Sequence, residues 1–259
     1  VRGVRIGYLL DMAEIVYPPV IAAVRTLFRA LDVRLHVEGA DHVPRSGGAV
    51  LVSNHISYLD FIFAGFAALP ARRLVRFMAK EDVFKHSVSG PLMRGMHHIP
   101  VDRGAGAGSY ATALRMLKAG EVVGVFAEAT ISRSFTVKEI KSGAIRMAQA
   151  TGTPIIPVGL WGSQRLWTKG RPRKLLQRHV PVTILVGEPM YPKRGENVND
   201  HTTDLHTRIS ELVDRAQRTY PEQPSGVWWQ PAHLGGTAPT PEEAAAMDEA
   251  EARAKKDAE

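Results

Sequence analysis

The sequence predicts an α/β fold: a mixed, mostly parallel central sheet covered by helices, with an N-terminal amphipathic helical segment in front of it. Three observations predict this. Short apolar runs rich in β-branched residues recur along the chain, helix-length segments separate them, and glycines stand where helices need a left-handed terminal residue.

Taken in order, the first element is the stretch Tyr8 to Leu31, dense in apolar residues but divided by Asp11, Glu14, Arg25 and Arg29. Its longest uncharged run, Ile15 to Val24, is ten residues and too short to cross a bilayer. Pro18 and Pro19 interrupt that run, and no small-residue cleavage site follows, which argues against a signal peptide. The expectation is a pair of surface-lying helices over residues 1–33.

Strands are expected at Arg34–Gly39, Ala49–Asn54, Leu74–Ala79, His97–Val101, Val122–Ala127, Ile155–Gly159 and Val182–Gly187. Helices are expected at Tyr58–Leu69, Ser109–Ala119, Ser142–Ala150 and Thr203–Tyr220. Ser109 is suited to cap its helix, and Gly120 and Gly152 to end theirs. These elements form one domain over residues 34–220. From Pro221 the chain turns polar and rich in Pro and Gly, then Ala- and Glu-rich, which reads as a mobile tail over 221–259 with a marginal terminal helix. Trp228 and Trp229 interrupt it and are expected to pack on the domain or on lipid headgroups.

The 259 residues include no cysteine, so disulfides and thiolate chemistry are excluded. The formal net charge of +7 is uneven: Gly236 to Glu259 carries a local −4, leaving +11 on the rest. A basic body suits an anionic partner, whether nucleic acid, a phosphorylated metabolite or an acidic membrane. No aromatic-interleaved basic patch or reading motif supports nucleic acid.

One stretch does not read as simple core. In LVSNHISYLDFI, Leu51 to Ile62, an imidazole and a carboxylate stand five positions apart. If a strand ends at Asn54 and a helix begins near Tyr58, His55 lies in the turn at the strand's carboxyl end, where open α/β sheets place ligands. Ser57 followed three residues later by Asp60 is also a capping-box pattern, so a structural and a catalytic reading both stand.

The chain continues with MHHIPVDR (Met96–Arg103), VFAEATIS (Val125–Ser132) and IIPVG (Ile155–Gly159). In order and separation, these and NHISYLD resemble the four sequence blocks of the glycerolipid acyltransferases, specifically the 1-acylglycerol-3-phosphate acyltransferase-like (HxxxxD) family, over Leu35 to Arg215. The resemblance implies transfer of a fatty acyl group from a thioester, on coenzyme A or acyl carrier protein, to a hydroxyl of a lysophospholipid or acylglycerol phosphate. The thioester is a co-substrate, and neither cofactor nor metal is expected.

The residues suit that chemistry. His55 is the expected general base, since a histidine with an ordinary pKa near neutrality can take the hydroxyl's proton and pass it to the departing thiolate. Asp60 would accept a hydrogen bond from the other ring nitrogen and fix the tautomer. A covalent serine at Ser57 lacks the GxSxG elbow. His97 and His98, adjacent on an expected strand, point to opposite faces and make a poor metal pair.

Arg103 matches the second-block arginine and is the expected phosphate ligand. The third block usually reads EGTR, whereas this chain has Glu128, Ala129, Thr130 and Ile131, so the expected cation is missing. Arg133, Lys141 in KSGA, and Lys80 in FMAKED are the candidates to replace it. Glu128 and Thr130 are expected to contact the acceptor, and backbone N–H groups near Ala129 to meet the oxyanion. A lipid acceptor places the enzyme on an anionic membrane surface, peripheral or monotopic on the cytoplasmic face, with Arg2, Arg5, Arg25 and Arg29 facing lipid. The alternative is a noncatalytic membrane-associated protein that binds anionic headgroups.

Overall fold

The computed structural model describes residues 14–102, 106–126, 128 and 130–256. Helix α1 (Tyr17–Ala30) leads into strand β1 (Arg34–Glu38), then β2 (Ala49–Ser53), α2 (Asp60–Ala68), β3 (Val75–Lys80), the short helices α3 (Glu81–Lys85) and α4 (Ser89–Gly95), and β4 (Ile99–Val101). There follow α5 (Ala107–Lys118), β5 (Val122–Phe126), α6 (Gly143–Thr151), β6 (Ile155–Trp161), β7 (Pro181–Val186), α7 (Val198–Arg218) and α8 (Pro241–Lys256). All seven expected strands are present.

They form one sheet in the order β1-β7-β6-β2-β5-β3-β4. From β6 across to β4 every pairing is parallel; β7 pairs antiparallel to β6, and β1 runs parallel to β7. Strand β2 therefore sits at the centre, between β5 and β6, with every residue buried. Its period-two alternation sends Leu51 into one core with Phe63, Ala64 and Ala67 of α2, and Val50 and Val52 into the other with residues of α5, α6 and α7. Both faces are covered, and the carboxyl ends of β2, β5 and β6 open on one edge.

Pro18 and Pro19 do not interrupt a helix but start one: they occupy the first turn of α1, where a missing N–H costs nothing. Phe28 of α1 stacks on Phe63 at 5.2 Å, and Tyr17 donates to the Val75 carbonyl at 3.0 Å, so α1 is tied to the sheet. Arg2, Arg5 and the rest of the segment before Glu14 lie outside the described residues. Among those described, no helix is long and apolar enough to cross a membrane.

Several boundaries differ from expectation, most of them by one or two residues. Ser109 lies inside α5, which starts at Ala107, and its hydroxyl donates to the Gly106 carbonyl at 3.1 Å instead of capping. Helix α7 begins at Val198, capped by the Asn197 side chain. Residues 221–256, expected as a mobile tail, lie against the body. Trp229 is buried beside Tyr220 and Trp161 with Trp228 packed next to it, and α8 opens on a reciprocal capping box between Thr240 and Glu243.

Gly124 on β5 shows how closely the sheet approaches the site. A Cβ there would collide with the Phe77 ring and lie 2.7 Å from Val75 Cγ1. Phe77 stacks on Phe126, which ends β5. Gly124→Ala should cost about 1–3 kcal/mol by overpacking, read as a lowered melting temperature. Gly108→Ala on α5, with nothing within 4 Å of the added carbon, should be neutral or slightly stabilising.

Candidate active site

The site is built where β2 ends. Asn54 leaves the strand but continues its pairing through its side chain: Nδ2 donates to the Leu160 carbonyl at 3.0 Å and Oδ1 accepts from the Leu160 N–H at 2.7 Å. That amide holds the turn against β6 while the main chain changes direction. Asp60, in the first turn of α2, is fully buried and accepts four hydrogen bonds. Oδ2 takes His55 Nδ1 at 2.9 Å and the N–H groups of Ile56 and Ser57, both at 2.7 Å; Oδ1 takes Ser163 Oγ at 2.6 Å.

The His55 ring is fixed on a second side by Phe126, stacked at a centroid distance of 4.4 Å with 19° between the planes. With Nδ1 donating to Asp60, the unprotonated nitrogen is Nε2. The side chain is 21% exposed, and no hydrogen bond joins Nε2 to another described residue. An imidazole held in this tautomer can accept a proton from a group approaching the mouth.

Two neighbouring loops grip the turn's main chain. Ser132 N–H donates to the His55 carbonyl at 2.7 Å, and Glu128 Oε1 accepts from the His55 N–H at 2.8 Å. From the loop after β6, Thr168 Oγ1 donates to the Ile56 carbonyl at 2.6 Å, and the Trp167 carbonyl accepts from Ser57 Oγ at 2.7 Å. Ser57 Oγ also accepts from the Leu59 N–H at 3.1 Å, so it faces the backbone and not the imidazole. Asp60 accepts from the Ser57 N–H as a capping-box acid does, but the helix starts after Leu59 and the Ser57 hydroxyl does not cap it.

Glu128, expected against the acceptor, is buried beneath the turn: Oε2 accepts from the Lys138 N–H at 3.1 Å while Oε1 holds His55. Burial pushes its carboxyl up to about 8, outweighing the two N–H groups that favour its charged form. Thr130 is half-buried close by in sequence, and Ile131 is buried. Arg103 and Ala129 lie outside the described residues. Lys141 is exposed ahead of α6, and Lys80 pairs with Asp82 at the end of β3; no hydrogen bond or ion pair joins either to the His55 turn. Arg133 is paired with Asp248 and Glu251 of α8.

His97 and His98 precede β4 instead of lying on it. His97 has φ +56°, and His98 is buried with Nδ1 accepting from the Phe77 N–H at 3.0 Å. Burial, with Arg76 beside it, pushes His98 down to about 3, so it is neutral and structural. Among the described residues no group of His, Asp and Glu could hold a metal ion. Sequence reasoning missed Ser163, Phe126 and Thr168; the signal for Ser163 was the WGS that follows the fourth block.

An open α/β sheet presenting an aspartate-held histidine at the carboxyl edge of its central strand has the layout of a group-transfer enzyme. Comparison with known proteins agrees. The acyltransferase family model matches residues 34–161. The 1-acyl-sn-glycerol-3-phosphate acyltransferase of Bacillus subtilis (strain 168) is 29% identical over 203 residues, covering 72% of this chain and 94% of that protein. The chloroplastic 1-acyl-sn-glycerol-3-phosphate acyltransferase LPAT1 of Arabidopsis thaliana is 26% identical over 70% of this chain, but the match spans only 49% of the plant protein. The crystal structure of the 1-acyl-sn-glycerophosphate (LPA) acyltransferase PlsC from Thermotoga maritima shares the fold, with a TM-score of 0.64 at 22% identity over 83% of this chain and 87% of that one. The chain thus resembles the 1-acyl-sn-glycerol-3-phosphate acyltransferases in sequence and shares the fold of PlsC.

Glu128 generates a pH prediction. An unfolded glutamate ionises from its ordinary value of 4.5, whereas the folded one does so only near 8. Between those values the unfolded state holds fewer protons, so this group's contribution to stability falls as pH rises. The unfolding free energy of wild type minus that of Glu128→Gln should decline from pH 5 to pH 8 and level off above. Denaturant titrations across that range measure it, and a flat difference would show Glu128 ionised throughout.

Proposed function

We propose that this enzyme moves a fatty acyl group from an acyl thioester, on coenzyme A or acyl carrier protein, to a hydroxyl of a lysophospholipid or acylglycerol phosphate in phospholipid biosynthesis. The observation that carries the reading is the 2.9 Å bond from His55 Nδ1 to the buried Asp60 carboxylate, which leaves Nε2 as the basic nitrogen. The relatives named above support the acceptor class.

In this mechanism Nε2 takes the acceptor's hydroxyl proton as the oxygen attacks the thioester carbonyl and the new C–O bond forms. The tetrahedral intermediate then collapses, the C–S bond breaks, and the thiolate takes the proton back from Nε2. Asp60 keeps the ring oriented and stabilises the imidazolium between the two transfers. No protein nucleophile is needed. A noncatalytic lipid-binding role accounts for an aspartate that shapes the turn but gives no reason for the imidazole oriented on it.

The same reading puts the enzyme at an anionic membrane on its cytoplasmic side. Besides Arg25, Arg29 and the exposed Leu27 of α1, Leu175 and Leu176 support this: they are 43% and 75% exposed within a loop that also carries Arg171, Arg173, Lys174 and Arg178.

Steady-state assays of purified protein with acyl-CoA and acyl-carrier-protein donors and a panel of lysolipid acceptors test the proposal. His55→Ala should lower turnover by about a hundred- to ten-thousandfold with little change in melting temperature. Asp60→Asn should lose less turnover but more stability, because the substituted amide cannot accept from all four donors. Turnover by His55→Ala within a few-fold of wild type would overturn the mechanism.

A further inference from the structure

Helix α8 brings two carboxylates into a nest of three cations. Arg133 Nε meets Asp248 Oδ1 at 3.0 Å and its Nη2 meets Glu251 Oε2 at 2.7 Å. Lys138 Nζ meets Asp248 Oδ2 at 2.7 Å, and Lys169 Nζ reaches Asp248 Oδ1 at 2.7 Å and Glu251 Oε2 at 2.8 Å. The cationic side chains are only 12%, 30% and 16% exposed in that order. Gly170 makes room for the guanidinium, since a Cβ there would lie 2.7 Å from Arg133 Nη1.

The nest adjoins the catalytic turn. Lys138 and His55 donate their backbone N–H groups to the same Glu128 carboxyl, and Thr168, next to Lys169, donates to the carbonyl of Ile56. Three carboxylate oxygens and two negative charges fill it, which is the oxygen number and charge a phosphate monoester dianion presents. What holds α8 there is mainly this charge: among its described residues Ala244 is the one buried hydrophobic side chain. Burial favours the neutral form of Asp248, but hydrogen bonds from Lys138, Lys169 and Arg133 outweigh it and hold the carboxyl well below the usual range.

We propose that Arg133, Lys138 and Lys169 form a phosphate site at the mouth of the active site, and that α8 is a cap whose Asp248 and Glu251 occupy that site until a phosphate monoester displaces them. Identifying that ligand as the acyl acceptor rests on the acyltransfer reading; the competition between phosphate and α8 does not.

The test uses the intact chain with two probes, inorganic phosphate and a short-chain, water-soluble acylglycerol phosphate. Calorimetry on wild type and on Asp248→Asn/Glu251→Gln should show the double variant binding the lipid phosphate at least tenfold more tightly, with Lys138→Ala/Lys169→Ala binding it more weakly than wild type. Hydrogen exchange on wild type, which needs no substitution, should show the α8 amides exchanging faster once the probe saturates. Equal affinity in wild type and the acidic double variant, or α8 protection unmoved at saturation, would overturn the cap. Release of α8 by inorganic phosphate but not by the lipid phosphate would overturn the acceptor assignment. Acyl transfer is not read in this experiment: a chain that turns over no thioester yet releases α8 to phosphate loses the acyltransfer reading and keeps the cap.

Discussion

The Asp60 carboxylate is the point on which the rest of the site depends. It is fully buried, so each of its oxygens has to be met by donors, and four meet it: the His55 ring, two successive backbone N–H groups and Ser163. Its place in the first turn of α2 sets a negative group against the positive end of that helix. The same contacts that bend the chain after β2 therefore also aim the imidazole. Removing the carboxylate would undo the turn and release the imidazole together, because the group that shapes the turn is also the one that orients the ring.

Around that carboxylate the sheet order does the positioning. Because β2 lies between β5 and β6, the turn after it is reached from both sides: Glu128 and Phe126 come from the end of β5, and Ser163, Trp167 and Thr168 follow β6. None of these is near His55 in sequence. Parallel strands bring them together because their carboxyl ends share one edge. A buried glutamate under the turn is costly when charged, and the Glu128 carboxyl responds by remaining protonated towards pH 8.

Much of this was legible in the sequence, for physical reasons that differ by element. The strands showed because a sheet covered on both faces needs continuous runs such as AVLVS and IIPVGLW, and the dyad showed because an imidazole and an acid interrupt one of those runs. The direction of β7 was not readable, since a buried strand has the same pattern whichever way it runs. Phe126 reads as ordinary strand core, and only coordinates reveal that its ring lies under His55. The tail misled because its composition is polar: α8 is held by ion pairs with residues of the body more than a hundred positions away in the case of Arg133, and hydropathy carries no trace of such partners.

The departure at the third block becomes intelligible once burial is known. Ile131 is 5% exposed, an environment in which a cation would need a paired anion to be tolerated. The chain instead carries its positive charge at Arg133, Lys138 and Lys169, on the rims of the two loops that grip the catalytic turn. Three cations gathered this closely repel one another unless an anion joins them, and breaking a partly buried pair leaves a charge uncompensated. An anion that takes the place of Asp248 and Glu251 offsets that cost, so the charge that closes the site also favours a dianion as the ligand that opens it.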